Sequence, residues 1–119
     1  MYKYKLLFLV TLLSLVGCVQ KTYKRTVVCY LNVGGIKNIQ TVGVRGEGKP
    51  LSWDTDLPLK EVVKDSLYTT TLSGETGYKF IEVKFTVNGE FELQNKENRR
   101  VLFSAGDTTV YKAVFNVNQ

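Results

Sequence analysis

The chain has 119 residues, with 16 Lys and Arg against 11 Asp and Glu, and no His. That length fits one domain and leaves no room for a second core. The missing His excludes Ser-His and Cys-His nucleophile pairs and the usual zinc sites, and the mild positive charge is too weak to point to nucleic acid.

The chain opens on a processing signal. Lys3 and Lys5 precede an apolar run from Leu6 to Val16 broken only by Thr11 and Ser14, the layout of a secretory signal and too short to span a bilayer. Leu15-Val16-Gly17-Cys18 resembles the lipobox of bacterial lipoproteins, where lipid is attached to the Cys thiol and the chain is cut just before it. The expectation is a signal peptide over 1–17, lipidation at Cys18, a lipidated tether over 18–25 and one domain over 26–119. The mature chain is then held to a membrane of the bacterial cell envelope without crossing it. Val19 follows the Cys in place of the Asp that retains lipoproteins at the inner membrane of enteric bacteria, so outer-membrane placement is expected. Cleavage removes two Lys and no acid, so the net charge falls from +5 to +3. Lys21, Lys24 and Arg25 then lie near anionic headgroups. Cys29, the thiol that remains, sits in the apolar run Val27 to Leu31 and is expected to be buried and inert.

Beyond the tether the apolar spacing is two, the strand period. Strands are predicted over Thr26 to Val33 and Ile39 to Arg45, joined by a turn that uses Gly34-Gly35 and Lys37-Asn38. The turn-rich stretch Gly46 to Leu59, with the only Trp, Trp53, and both Pro, leads to Leu59 to Lys64, at most one helical turn. Ser66 to Leu72 is a third strand and Lys79 to Val87 a fourth, with Ile81, Val83, Phe85 and Val87 on one face and Glu82, Lys84 and Thr86 on the other. Asn88-Gly89 is a strong hairpin signal and folds Glu90 to Leu93 back on the fourth strand. Gln94 to Arg99 reads as a polar loop, Val101 to Ser104 as a short strand, and Thr109 to Val117 as the last. The predicted class is all-β, an immunoglobulin-like antiparallel β-sandwich of about seven strands.

Several patterns with a chemical echo have plainer explanations. Gly43-x4-Gly48-Lys49 matches the start of a phosphate-binding loop, but Pro50 stands where a hydroxyl residue should hold magnesium and no helix follows; glycines of a flexible loop suffice. Asp54-x-Asp56 lacks the further acid and Gly of a calcium loop, and turn capping explains it. Neither that pair nor Glu90 and Glu92, read as a solvated face, has the cleft that a glycoside hydrolase needs. No enzyme activity, cofactor or metal is expected. Trp53 has two readings: a plug under its loop, or a flat ring offered to the apolar face of a sugar, with neighbouring polar groups meeting the hydroxyls.

The order of these segments resembles the starch-binding domain of carbohydrate-binding module family 20, and more distantly the glycogen-binding domain of the AMP-activated kinase β subunit. The matching segments are Val42-Gly43-Val44-Arg45-Gly46, Pro50-Leu51-Ser52-Trp53-Asp54, Leu57-Pro58-Leu59, Leu67 to Leu72, Glu82-Val83-Lys84-Phe85 and Asn98-Arg99. The resemblance implies a site in which Trp53 stacks on a sugar, Lys84 donates to a hydroxyl and Asn98 makes a bidentate polar contact. The family's second Trp has no counterpart; Phe91 or Leu93 occupies its region. The implied function is non-catalytic binding of polysaccharide or oligosaccharide, α-glucan above all, at the envelope. The alternative is an interaction or structural lipoprotein that keeps the fold, has lost the sugar and contacts an envelope protein.

Overall fold

A computed structural model describes residues 21–118; the signal segment 1–17 and Cys18 lie outside the described residues. The described chain is all-β and contains no helix. Nine strands occur in it, more than the seven expected: β1 (Tyr23–Asn32), β2 (Val42–Gly46), β3 (Leu57–Pro58), β4 (Lys60–Val63), β5 (Leu67–Thr76), β6 (Phe80–Val87), β7 (Glu90–Phe91), β8 (Arg99–Leu102) and β9 (Thr108–Val114). One sheet has the order β4-β5-β1-β9; the other has β3-β2-β6-β7, with β8 also paired to β6.

Alternation places the core as predicted. Val27, Cys29 and Leu31 of β1 and Leu72 of β5 face Val44 of β2, Val83, Phe85 and Val87 of β6, and Val101 of β8, all buried in one cluster fed by both sheets. Burying such side chains is worth about 1.5–3 kcal/mol each against leaving them exposed. The Asn88-Gly89 hairpin also forms, with φ of 54° and 78° at its two central residues, the left-handed pair that Asn and Gly tolerate.

The structure corrects the sequence reading at several strand ends. β1 starts at Tyr23, so Tyr23, Lys24 and Arg25, assigned to the tether, are paired strand. Their partners are Thr76, Glu75 and Gly74, which carry β5 four residues past Leu72; the two extensions support each other. Leu59 to Lys64 is not a helical turn: Lys60–Val63 pairs with β5 through a bulge between Glu61 and Val63. β2 starts at Val42, not Ile39, because the backbone before it is served by a side chain. Asn88 Oδ1 accepts from Gln40 N and Thr41 N (2.7 and 3.1 Å), and Asn88 Nδ2 donates to Asn38 O (2.9 Å). Nor is the pairing antiparallel throughout, since β1 runs parallel to β9, Thr26 opposite Thr108 through Asn32 opposite Val114. Two strands 82 residues apart in register cannot meet through a hairpin, so local sequence carries no sign of this contact.

The glycines of the phosphate-loop echo also resolve. Gly43 lies within β2 as predicted, and Gly46, one residue beyond the predicted strand end, belongs to it too. A Cβ on Gly46 would stand 2.6 Å from Glu82 O and 2.7 Å from Leu51 Cδ1, so the missing side chain lets neighbouring backbone and loop close in.

Candidate glycan-binding groove

Arg45, Lys84 and Phe91 share the outer face of the second sheet. Pairing puts Arg45 opposite Lys84 and Phe91 opposite Thr86, and the alternation that buries Val44, Val83 and Phe85 turns these residues outward. Two cations face each other across the β2–β6 pair, an arrangement that is unfavourable unless each finds an acceptor. Both do. Arg45 Nε donates to Asp56 Oδ1 (2.6 Å) and its Nη1 to Trp53 O (3.1 Å). Lys84 Nζ donates to Leu93 O (3.1 Å) and Lys96 O (2.9 Å).

Those bonds shape the site. Arg45 pins the β2–β3 loop onto the sheet and lays its guanidinium over the Phe91 ring, 5.0 Å from the centroid, a cation–π contact. Trp53 is thereby held beside Phe91, ring centroids 6.4 Å apart and planes tilted by 52°. Within the loop, Ser52 Oγ accepts from Asp54 N (3.0 Å), an ST-turn. Asp56 acts as the partner of Arg45 and not as a cap. Its Cβ lies where a side chain on Gly43 would stand, beside Thr86 Oγ1. The loop thus covers Thr86, which is fully buried although alternation puts it on the face opposite Val83, Phe85 and Val87.

Lys84 in turn anchors the β7–β8 loop, in which Leu93 and Asn95 have left-handed φ of 48° and 62°. That loop presents the exposed side chains of Gln94, Asn95 and Asn98. Trp53, Lys84, Phe91, Gln94, Asn95 and Asn98 together line a shallow groove of about 450 Å³, within the size range of small-ligand sites. Trp53 is half-buried, so it is neither a core plug nor a free ring. The four residues singled out from the sequence, Trp53, Lys84, Phe91 and Asn98, therefore meet at one place. Leu93, the other candidate for the second-ring position, is buried. Gln94 and Asn95 entered the sequence reading only as part of the polar loop Gln94 to Arg99, and Arg45 escaped it as a site residue; the outward parity of Arg45 on β2, matching that of Lys84 on β6, was the available signal.

Beneath the groove lies a second correction. Glu92 and Arg99, read as a solvated face and a polar loop, are 0% and 4% exposed. Arg99 Nε and Nη2 donate to the two carboxylate oxygens of Glu92 (2.7 and 2.8 Å), and Nη2 also to Val114 O and Val117 O (2.8 and 2.9 Å). Glu92 accepts further from Phe85 N and Asn116 N. Burial would lower the Arg99 pKa, but the bonds to Glu92 outweigh it and the net shift is upward. The pair is a charged rivet joining β6, β7, β8 and the end of β9 under the groove floor.

A larger depression, about 830 Å³, opens elsewhere. It is lined by Arg25, Leu51, Leu72, Phe80 and Phe103 among others, and by none of the four singled-out residues. No protein-family model and no curated protein matches the chain.

Proposed function

We propose that this chain is a non-catalytic, lipid-anchored protein of the bacterial envelope whose two sheets form a starch-binding-like, immunoglobulin-like sandwich, and that it holds a glycan, α-glucan above all, in the Trp53 groove. One observation carries the reading: Trp53, Lys84, Phe91 and Asn98, spread over 46 positions of the sequence, line a single groove. Two tilted rings offer apolar faces to a sugar, exposed amides offer donors and acceptors, and Lys84 adds a cation whose ammonium is already oriented by two carbonyls. Phe91 supplies the second ring that the sequence lacks as Trp. Each ring adds about 0.5–1.5 kcal/mol beyond area burial, which suits affinity in the millimolar range, about 4 kcal/mol in total. Many anchored copies facing one polysaccharide raise the effective affinity.

Titration of the single Trp fluorescence with maltoheptaose tests this. Saturable quenching at millimolar sugar is expected, with Trp53→Ala abolishing binding measured by calorimetry while the fold persists, since the ring is only half-buried. A flat titration of the wild type at tens of millimolar sinks it. The second reading, an envelope protein-contact role, draws on the exposed Val62 and Val63 of edge strand β4 and Val110 and Val114 of edge strand β9.

A further inference from the structure

The Trp53 groove does not end at Phe91. A second depression, about 540 Å³, is lined by Ile36, Val87, Asn88, Glu90, Phe91, Gln94, Phe115 and Asn116. Phe91 and Gln94 belong to both. Phe91 is half-buried and Gln94 exposed, so they form a low saddle between two hollows. The far hollow repeats the chemistry of the near one. Phe115 is a partly buried ring packed against the core, and amides surround it. Asn116 is fixed in place, its Oδ1 accepting from Leu93 N (2.8 Å), which leaves its Nδ2 for a ligand. Asn88 is committed to the β1–β2 loop through both side-chain atoms and is wall only.

Charge narrows the ligand further. Arg45 is neutralised by Asp56, and the Glu92–Arg99 pair is sealed below. Among the residues lining the two hollows, the one cation is Lys84, at the near end, and the one acid is Glu90, at the far end. An anionic chain would gain at Lys84 and lose at Glu90, and a cationic one the reverse. A neutral polyol loses nowhere.

We infer that the two hollows are subsites of one surface that takes a linear chain of neutral sugars lying across Phe91, with Phe115 as the ring of the second subsite and Gln94 as the polar contact at the crossing. The inference rests on the glycan reading of the Trp53 groove and adds to it a length requirement, a neutral ligand and a second set of residues.

Calorimetry with maltotriose and maltoheptaose on the wild type, Phe115→Leu and Gln94→Ala is the test. Phe115→Leu keeps apolar volume against the core while removing the ring, and Gln94→Ala changes an exposed position. One further ring contact corresponds to about two- to tenfold in affinity. Maltoheptaose should therefore bind wild type more tightly than maltotriose by about that factor. Phe115→Leu should pull the ratio toward one and leave maltotriose binding unchanged, whereas Gln94→Ala, at a position that lines both hollows, should weaken both sugars. Raising NaCl from about 50 to about 500 mM, which screens exposed charges, should leave both affinities in place. If maltotriose and maltoheptaose bind equally and Phe115→Leu changes neither, the Trp53 groove stands alone and the extension falls. Tighter binding of oligogalacturonate than of maltoheptaose, lost in high salt, overturns the neutral ligand. If neither maltooligosaccharide binds, the glycan reading and the extension fall together.

Discussion

Arg99 is the side chain whose loss would be felt most widely. Removing it leaves Glu92 charged, fully buried and without its bidentate partner, a situation that costs about 3–5 kcal/mol out of the about 5–15 kcal/mol typical of a whole domain. Arg99→Met should therefore lower the urea midpoint sharply, and Glu92→Leu combined with Arg99→Met should restore much of the loss, because the buried charge then disappears. Recovery smaller than the single-mutant loss by more than half would mean that the bonds to Val114 O and Val117 O carry most of the effect. Cys29 offers a second check. Burial pushes its thiol from 9.0 up to about 12. Between those values the unfolded chain releases a proton that the folded chain keeps, so stability is constant below 9.0 and falls as pH rises toward 12. Tyr68 acts in the same sense, raised by burial first and then by its hydrogen bond to Glu61. Urea midpoints should hold up to about pH 9 and decline from there to about pH 10.5, less steeply in Cys29→Val, and iodoacetamide should label Cys29 only in denaturant. Labelling of the native protein would show that the core around Cys29 opens readily.

The β6–β7 hairpin ties local turn chemistry to distant order. Gly89 has φ of 78° with nothing within 4 Å of an added Cβ, so Gly89→Ala meets backbone strain alone, about 1 kcal/mol. Asn88→Ala adds the loss of three hydrogen bonds to residues 38–41, and we expect about 2–3 kcal/mol in all. Native-state hydrogen exchange provides the specific sign: the Gln40 and Thr41 amides, which donate to Asn88 Oδ1, should lose protection in Asn88→Ala and keep it in Gly89→Ala. Equal protection in both variants would show that the β1–β2 loop is held by other means. Strands with a buried face, such as β1 and β6, were legible from alternation, and the hairpin from Asn88-Gly89. β4 was not legible, because all four of its residues are exposed and no apolar alternation marks it; the free edge of β5 makes it a strand. Pro58 was a partial signal, since Pro sits on edge strands and β3 is an edge.

For the molecule as a whole, the proposed anchor is the part most directly tested in cells. Cys18→Ser should abolish incorporation of labelled palmitate and move the chain from the membrane to the soluble fraction, with the domain still folded. Continued labelling of Cys18→Ser would remove the lipoprotein reading and leave the groove untouched. Only a short stretch separates Cys18 from the start of β1 at Tyr23, so an anchored domain would sit close to its membrane, consistent with avidity at an envelope surface as the working mode.

Taken alone, the sequence determined what depends on neighbours in the chain: an all-β class from a period of two, the core faces of the long strands and the hairpin at Asn88-Gly89. Tertiary structure decided what depends on residues far apart. It paired β1 with β9 in parallel, turned Glu92 and Arg99 from presumed surface into a buried rivet, and set Arg45 between Trp53 and Phe91. The physical reason is that a charged side chain looks the same in sequence whether water or a partner solvates it. The sheet register that brings Arg99 to Glu92, or Arg45 to Asp56, decides which one it receives.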